Sequence, residues 1–137
     1  MLTLAEANQA IAGALAKAQS MKTKIAVSVC DQGGHLLAFQ RMDGAFLESV
    51  AAAIGKAIGA AASRKSSGDK GDEDDVLDLQ SVWRVAGAGL PVRAGPGGLP
   101  ITRNAQRVGA IGVAGSATVQ EDEQCAKSSG HLIAGRF

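Results

Sequence analysis

Along residues 3–20, Leu4, Ala7, Ile11, Ala14, Leu15 and Ala18 recur at helical spacing and fall along one stripe. Thr3 and Glu6 stand three apart at the start of that stripe, the spacing of a capping box, in which each side chain satisfies a free amide of the first turn. The period then changes. In Lys24–Cys30, Ile25, Val27 and Val29 alternate with smaller or polar residues, which predicts a strand. Asp31-Gln32-Gly33-Gly34 reads as a turn and His35–Arg41 as the returning strand. Residues 48–63 form a second helical segment, dominated by Ala and Gly. Arg64–Asp75 is a polar interruption leading to a third helix near 73–86, with its acids at the favourable positive end. The Gly- and Pro-rich stretch Gly87–Gly98 is a loop or a short edge strand. Leu99–Arg103 and Arg107–Ala114 make a second hairpin. Thr118 and Glu121 repeat the capping-box spacing and open a last helix with the stripe Val119, Cys125, Ala126, Leu132 and Ile133. This order of elements predicts a single α+β domain over residues 1–137, built on a mainly antiparallel sheet.

The glycines of the second hairpin qualify that picture. Gly109, Gly112 and Gly115 recur every three residues, out of step with the two-residue period of a strand. They cannot all serve one face. Glycine inside a strand marks a place where something comes close to the backbone. Gly97 and Gly98, ahead of Leu99-Pro100-Ile101, raise the same expectation. A helix, a second subunit or a flat ligand could lie against these bare positions. Gly112 is expected mid-strand under such a close neighbour.

Composition narrows the function classes. The 137 residues include one Trp, three Phe and no Tyr, so the core must be built from small side chains at close backbone separation. The net charge is +1 and no Lys/Arg run exceeds two residues, which argues against a nucleic-acid partner. No run of about 18 apolar residues exists, so no membrane span is expected. With Glu6 and Asn8 so early, the start does not read as a signal peptide, and a cytoplasmic location is expected. Cys30 and Cys125 fall in different elements and read as reduced, small apolar residues.

Most familiar chemistries are missing. No GxGxxG follows a strand and opens a helix, Gly55-Lys56 is followed by Ala57, and there is no CxxC, HExxH or GxSxG. Asp72–Asp75 lacks the spacing of a calcium loop. Five candidate residues remain. His35, beside the first turn, is either a surface histidine or a ligand to a metal or haem iron. His131 poses the same choice near the chain end. Arg41 and Asp43 flank Met42 at a strand end, where they are either a local ion pair or contacts for an anionic ligand. Lys56, on an apolar helix, either snorkels to the surface or meets an anion.

Several of these segments together resemble the GlcG/HbpS family, which includes the C-terminal domain of PduO-type proteins. The matching residues are Val27–Leu37 (VSVCDQGGHLL), Arg41-Met42-Asp43-Gly44-Ala45, Ser49 with Ala53, Lys56-Ala57, Gly97–Ile101, and Val108–Gly115 followed by Asp122-Glu123. Residues 64–95 carry little of the likeness. Asn104-Ala105-Gln106 stands where the family has an Asp-Gly turn, Ala114 where Ser is common, and helix one has no histidine. The resemblance implies a profilin-like fold, with about five antiparallel strands and helices on both faces. It also implies a homo-oligomer that binds a small molecule such as haem or a corrinoid (cobalamin), and an association with diol, glycerol or glycolate utilisation.

The leading functional expectation is therefore a non-enzymatic small-molecule-binding oligomer. Arg41, Asp43, Lys56, Gly97 and Gly98 are its candidate ligand contacts, and His35 its candidate iron ligand. Two rivals stay open. One is a small enzyme holding an anionic metabolite on Arg41, with Asp43 or Lys56 as acid/base. The other is an accessory assembly protein whose Ala/Gly-rich helix 48–63 forms an interface. That helix and the lack of large apolar groups also predict that small-residue surfaces are buried between subunits.

Overall fold

Thr3 starts the first helix as its spacing requires. In the computed structural model, which describes residues 1–63 and 97–130, Thr3 Oγ1 accepts from the Glu6 amide at 3.1 Å and Glu6 Oε1 accepts from the Thr3 amide at 3.0 Å. Helix α1 runs Leu4–Ser20 and buries Ala7, Ala10, Ile11, Ala14 and Ala18. Leu4, expected on that stripe, is 55 % exposed because the first turn overhangs the core.

Strand β1 (Ala26–Asp31) and strand β2 (Leu36–Arg41) form the first hairpin. The Asp31 carboxylate closes its turn by accepting from the amides of Gly33 and His35, and Gly34 takes φ +86°. Helix α2 spans Glu48–Ser63. Strand β3 (Gly98–Arg103) and strand β4 (Gln106–Ala114) form the second hairpin, joined by Asn104 and Ala105 at φ +52° and +66°. Two consecutive left-handed residues are what a two-residue hairpin turn demands. Helix α3 is Val119–Lys127. Thr118 Oγ1 accepts from the Glu121 amide, but the return arm goes one residue early, from the Ala117 amide to Glu121 Oε1. Val119, placed on the buried stripe by the sequence, is 45 % exposed, since α3 turns Asp122, Cys125 and Ala126 inward.

The sheet order is β2-β1-β4-β3, antiparallel throughout, which with the helices makes an α+β fold. Four strands are present among the described residues. The expected edge strand within Gly87–Gly98, the helix near 73–86, His131, Leu132 and Ile133 lie outside them, apart from Gly97 and Gly98 themselves.

The two faces of the sheet differ in the size of their side chains. On one, Val27, Val29, Leu99, Ile101, Ile111 and Val113 pack with α1 and α3. On the other, β1 presents Ala26, Ser28 and Cys30, and β4 presents Ala110, Gly112 and Ala114. Helix α2 lies on this shallow floor. A Cβ on Gly112 would sit 2.1 Å from the Ala53 oxygen and 2.6 Å from the Ala57 nitrogen, so helix and strand backbones all but touch. Ser28 Oγ donates to the same Ala53 oxygen at 2.8 Å. Gly109 instead faces Leu2, and Gly115 turns at φ +106° against Ser49, so the three glycines serve different neighbours. The body that lies against Gly112 is the chain's own helix. The small residues of α2 are thus used inside the chain, and Gly55–Ala60 is buried without a break. Packing on the chain's own sheet thus accounts for the small residues on the inner side of that helix.

Candidate functional site

Lys56 meets an anion. It is 6 % exposed, and its Nζ donates to the Val113 oxygen and to Asp122 Oδ2, each at 3.0 Å. Asp122 is 4 % exposed, and its other oxygen accepts from the Ser116 amide at 3.0 Å and from Ser116 Oγ. Gly97, at φ +119°, closes over the pair: a Cβ there would lie 3.1 Å from Lys56 Nζ and 2.5 Å from the Val113 oxygen. Gly97 O also accepts from the Val113 amide at 2.8 Å. Gly98 follows, in register with Gly112. Fold topology thus brings Lys56 and Gly97 together around an internal carboxylate, with Gly98 next in the strand. The arrangement pins α2 to α3 across the end of β4. Sequence reasoning gave Asp122 no role, although an acid sharing the apolar stripe of Cys125 and Ala126 is a signal of a buried partner.

Arg41 and Asp43 stand apart from this pair, at the end of β2. Both are exposed, and neither forms an ion pair among the described residues. The loop beyond β2 is held by the Met42 amide donating to Ile25 O at 2.9 Å and the Ala45 amide donating to Met42 O at 3.1 Å. It carries Phe46 and Leu47 outward, 67 % and 74 % exposed. The sequence reading did not single these two out, because exposure of an apolar pair depends on how the loop is turned.

His35 lies at the opposite end of β2. Its Nδ1 is 3.2 Å from Asp31 Oδ1, the oxygen that also accepts from the amides of Gly33 and His35. The imidazole side chain is 69 % exposed. A carboxylate can only accept, so Nδ1–H donates; in the neutral imidazole Nε2, across the ring, then carries the lone pair. This is the arrangement by which proteins orient a ligating histidine. An open concavity lined by Gln32, Ala105, Gln106 and Arg107 borders the turn. Among the described residues no three His, Cys, Asp or Glu side chains group as a metal cage.

Cys30 and Cys125 are both free and buried, on opposite faces of the sheet. Burial pushes their thiols up to about 12 and about 11. Neither is a nucleophile at neutral pH. No helix among the described residues is long and apolar enough to cross a membrane.

Comparison with known proteins joins these observations. Residues 2–129 match the family described as "Haem degrading protein HbpS-like". The chain is 33% identical to the protein GlcG of Escherichia coli K12 over 107 residues, covering 78% of this chain and 76% of GlcG. A double mutant of HbpS from Streptomyces reticuli superimposes with TM-score 0.75 at 28% identity, covering 94% of this chain and 84% of HbpS. The fold is shared, at TM-score 0.73 and 23% identity, with a structure described as a PduOC:Heme complex, covering 94% of this chain and 92% of PduOC. The antiparallel sheet, its two helical faces and the match over residues 2–129 together place the chain in the HbpS-like family.

Proposed function

We propose that this protein binds haem without catalysing a reaction of its own, with His35 as an iron ligand, and that it does so as a homo-oligomer. The observation that carries the reading is the His35–Asp31 pair, which fixes an exposed imidazole by one nitrogen and leaves the other for a metal. The HbpS-like family and the haem complex of a fold relative support the choice of ligand. The donor fits an iron porphyrin. The surroundings fit in part: Leu36 offers an exposed apolar side chain beside His35, while Gln32, Gln106 and Arg107 are polar. A ligand of this kind needs mostly apolar walls. A second chain is the natural source of the missing wall. When bound, haem would supply iron chemistry; this chain's own part is to hold the imidazole with Asp31.

The same free nitrogen suits the cobalt of a corrinoid, which makes cobalamin the comparison ligand in the test. A profilin-like arrangement with a fifth strand, a cytoplasmic location and a link to diol, glycerol or glycolate utilisation belong to this reading as its wider setting. Haemin titration of the purified protein should give a saturable Soret shift, and His35→Ala should weaken binding at least tenfold and change the band. Equal affinity and an unchanged spectrum in His35→Ala would place the site elsewhere.

A further inference from the structure

Resting on the oligomer reading, we propose that two copies of this chain pair antiparallel along the outer edge of β2, so that each lends Phe46 and Leu47 to the other's His35. Strand β2 ends the sheet order and, among the described residues, pairs only with β1. Its outer edge therefore offers unpaired amides and carbonyls, a template for another strand.

The exposed apolar groups sit at its two ends. Leu36, 51 % exposed, adjoins His35 at one end; Phe46 and Leu47 project from the loop beyond the other. A two-fold axis between Ala38 and Phe39 sets Leu36 opposite Arg41 of the second copy. Each end then meets the other end of its mate. The two apolar clusters come together twice, as an isologous contact requires.

The charges agree with this pairing. Arg41 and Asp43 flank one end, and Asp31 and His35 the other, all at least partly exposed. Antiparallel pairing brings the unpaired guanidinium toward the end that carries Asp31, and Asp43 toward the end that carries His35. Parallel docking would leave like ends together. The second copy's Phe46 and Leu47 also supply the apolar wall that the single chain lacks around its imidazole.

Three proteins test the geometry by sedimentation velocity and non-reducing gels, with circular dichroism confirming the fold. Wild-type apoprotein at micromolar concentration should sediment as a dimer or a multiple of it. Phe46→Glu with Leu47→Glu, both at exposed positions, should halve the mass or reduce it further and weaken haemin binding, with His35 untouched. Leu36→Cys with Arg41→Cys should form a disulfide-linked dimer on oxidation. Within one chain those positions are about 17 Å apart, too far to bridge, and neither single substitution should cross-link. A monomeric wild type overturns the oligomer reading and this interface together. An oligomer that neither cross-links nor responds to the double Glu substitution overturns this interface alone. The His35→Ala titration separately decides the haem reading.

Discussion

Lys56 and Asp122 are 66 positions apart in sequence, yet Nζ and Oδ2 lie 3.0 Å apart with both side chains almost fully buried. Two charges removed from water hold each other only while both are present. Deleting one leaves the other uncompensated in an apolar setting, at about 3–5 kcal/mol. Asp122→Leu and Lys56→Met are therefore each expected to lower unfolding stability by about that amount. The double variant Lys56→Met with Asp122→Leu should lose clearly less than the sum of the two single variants. Urea unfolding of the four proteins measures the coupling. Additive losses would mean that the pair does not hold α2 to α3.

Gly112 lies under helix α2 with no room for a side chain. Its Cβ would approach Ala53 O to 2.1 Å and Ala57 N to 2.6 Å, and both are backbone atoms that cannot swing aside. Gly112→Val should cost at least about 1–3 kcal/mol by overpacking, despite the better strand propensity of valine. Gly112→Ala should already destabilise. A raised thermal midpoint in either variant would contradict the close approach.

These two positions also show what the sequence could and could not reveal. Local chemistry was legible. Thr3 with Glu6 marked the start of α1, the Asp31–Gly34 turn marked a hairpin, and the Ala/Gly run marked a helix whose limits are Glu48 and Ser63. Glycine spacing announced that something pressed on Gly112, because a bare strand position implies a close neighbour. Which neighbour was not legible. The choice between an own helix and a second subunit depends on the crossover that carries α2 from β2 back over β1 and β4. Lys56 posed the same problem. Its counter-charge comes from α3, and no spacing rule connects residues so distant in the chain. The family likeness located His35 in its segment. The grip of Asp31 on the imidazole appeared only with the turn geometry.

Ala105 is the strained position of the second hairpin. At φ +66° its Cβ crowds the backbone, a conformation that costs an L-residue about 1–2 kcal/mol and glycine almost nothing. Ala105→Gly relieves that strain but gives the unfolded chain more freedom, worth about 0.4–1 kcal/mol in the opposite direction. The net expectation is a gain of up to about 1.6 kcal/mol, in the balance of those two effects. A modest rise in the urea midpoint at constant slope is the predicted result. A fall would mean that the turn holds alanine without strain.

Glu6 links helix α1 to the far end of β3. Its carboxylate accepts from the Thr3 amide and also from the Arg103 guanidinium, whose other nitrogen donates to Met1 O at 3.1 Å. The backbone hydrogen bond from Thr3, and after it the one from Arg103, hold the Glu6 carboxyl below its ordinary value of 4.5. The folded state thus favours the ionised form. The resulting stabilisation is complete above the unfolded value and is lost as pH falls through the lower folded one. Glu6→Gln removes the titrating group while keeping an acceptor at the cap. The thermal midpoint of the wild type should exceed that of Glu6→Gln at pH 7, and the difference should shrink once the pH drops below 4.5. Because the Glu6 and Arg103 side chains remain partly exposed, high salt should also narrow the gap at pH 7. A difference that stays constant from pH 7 to strongly acid solution would show that the carboxylate charge contributes nothing to the cap.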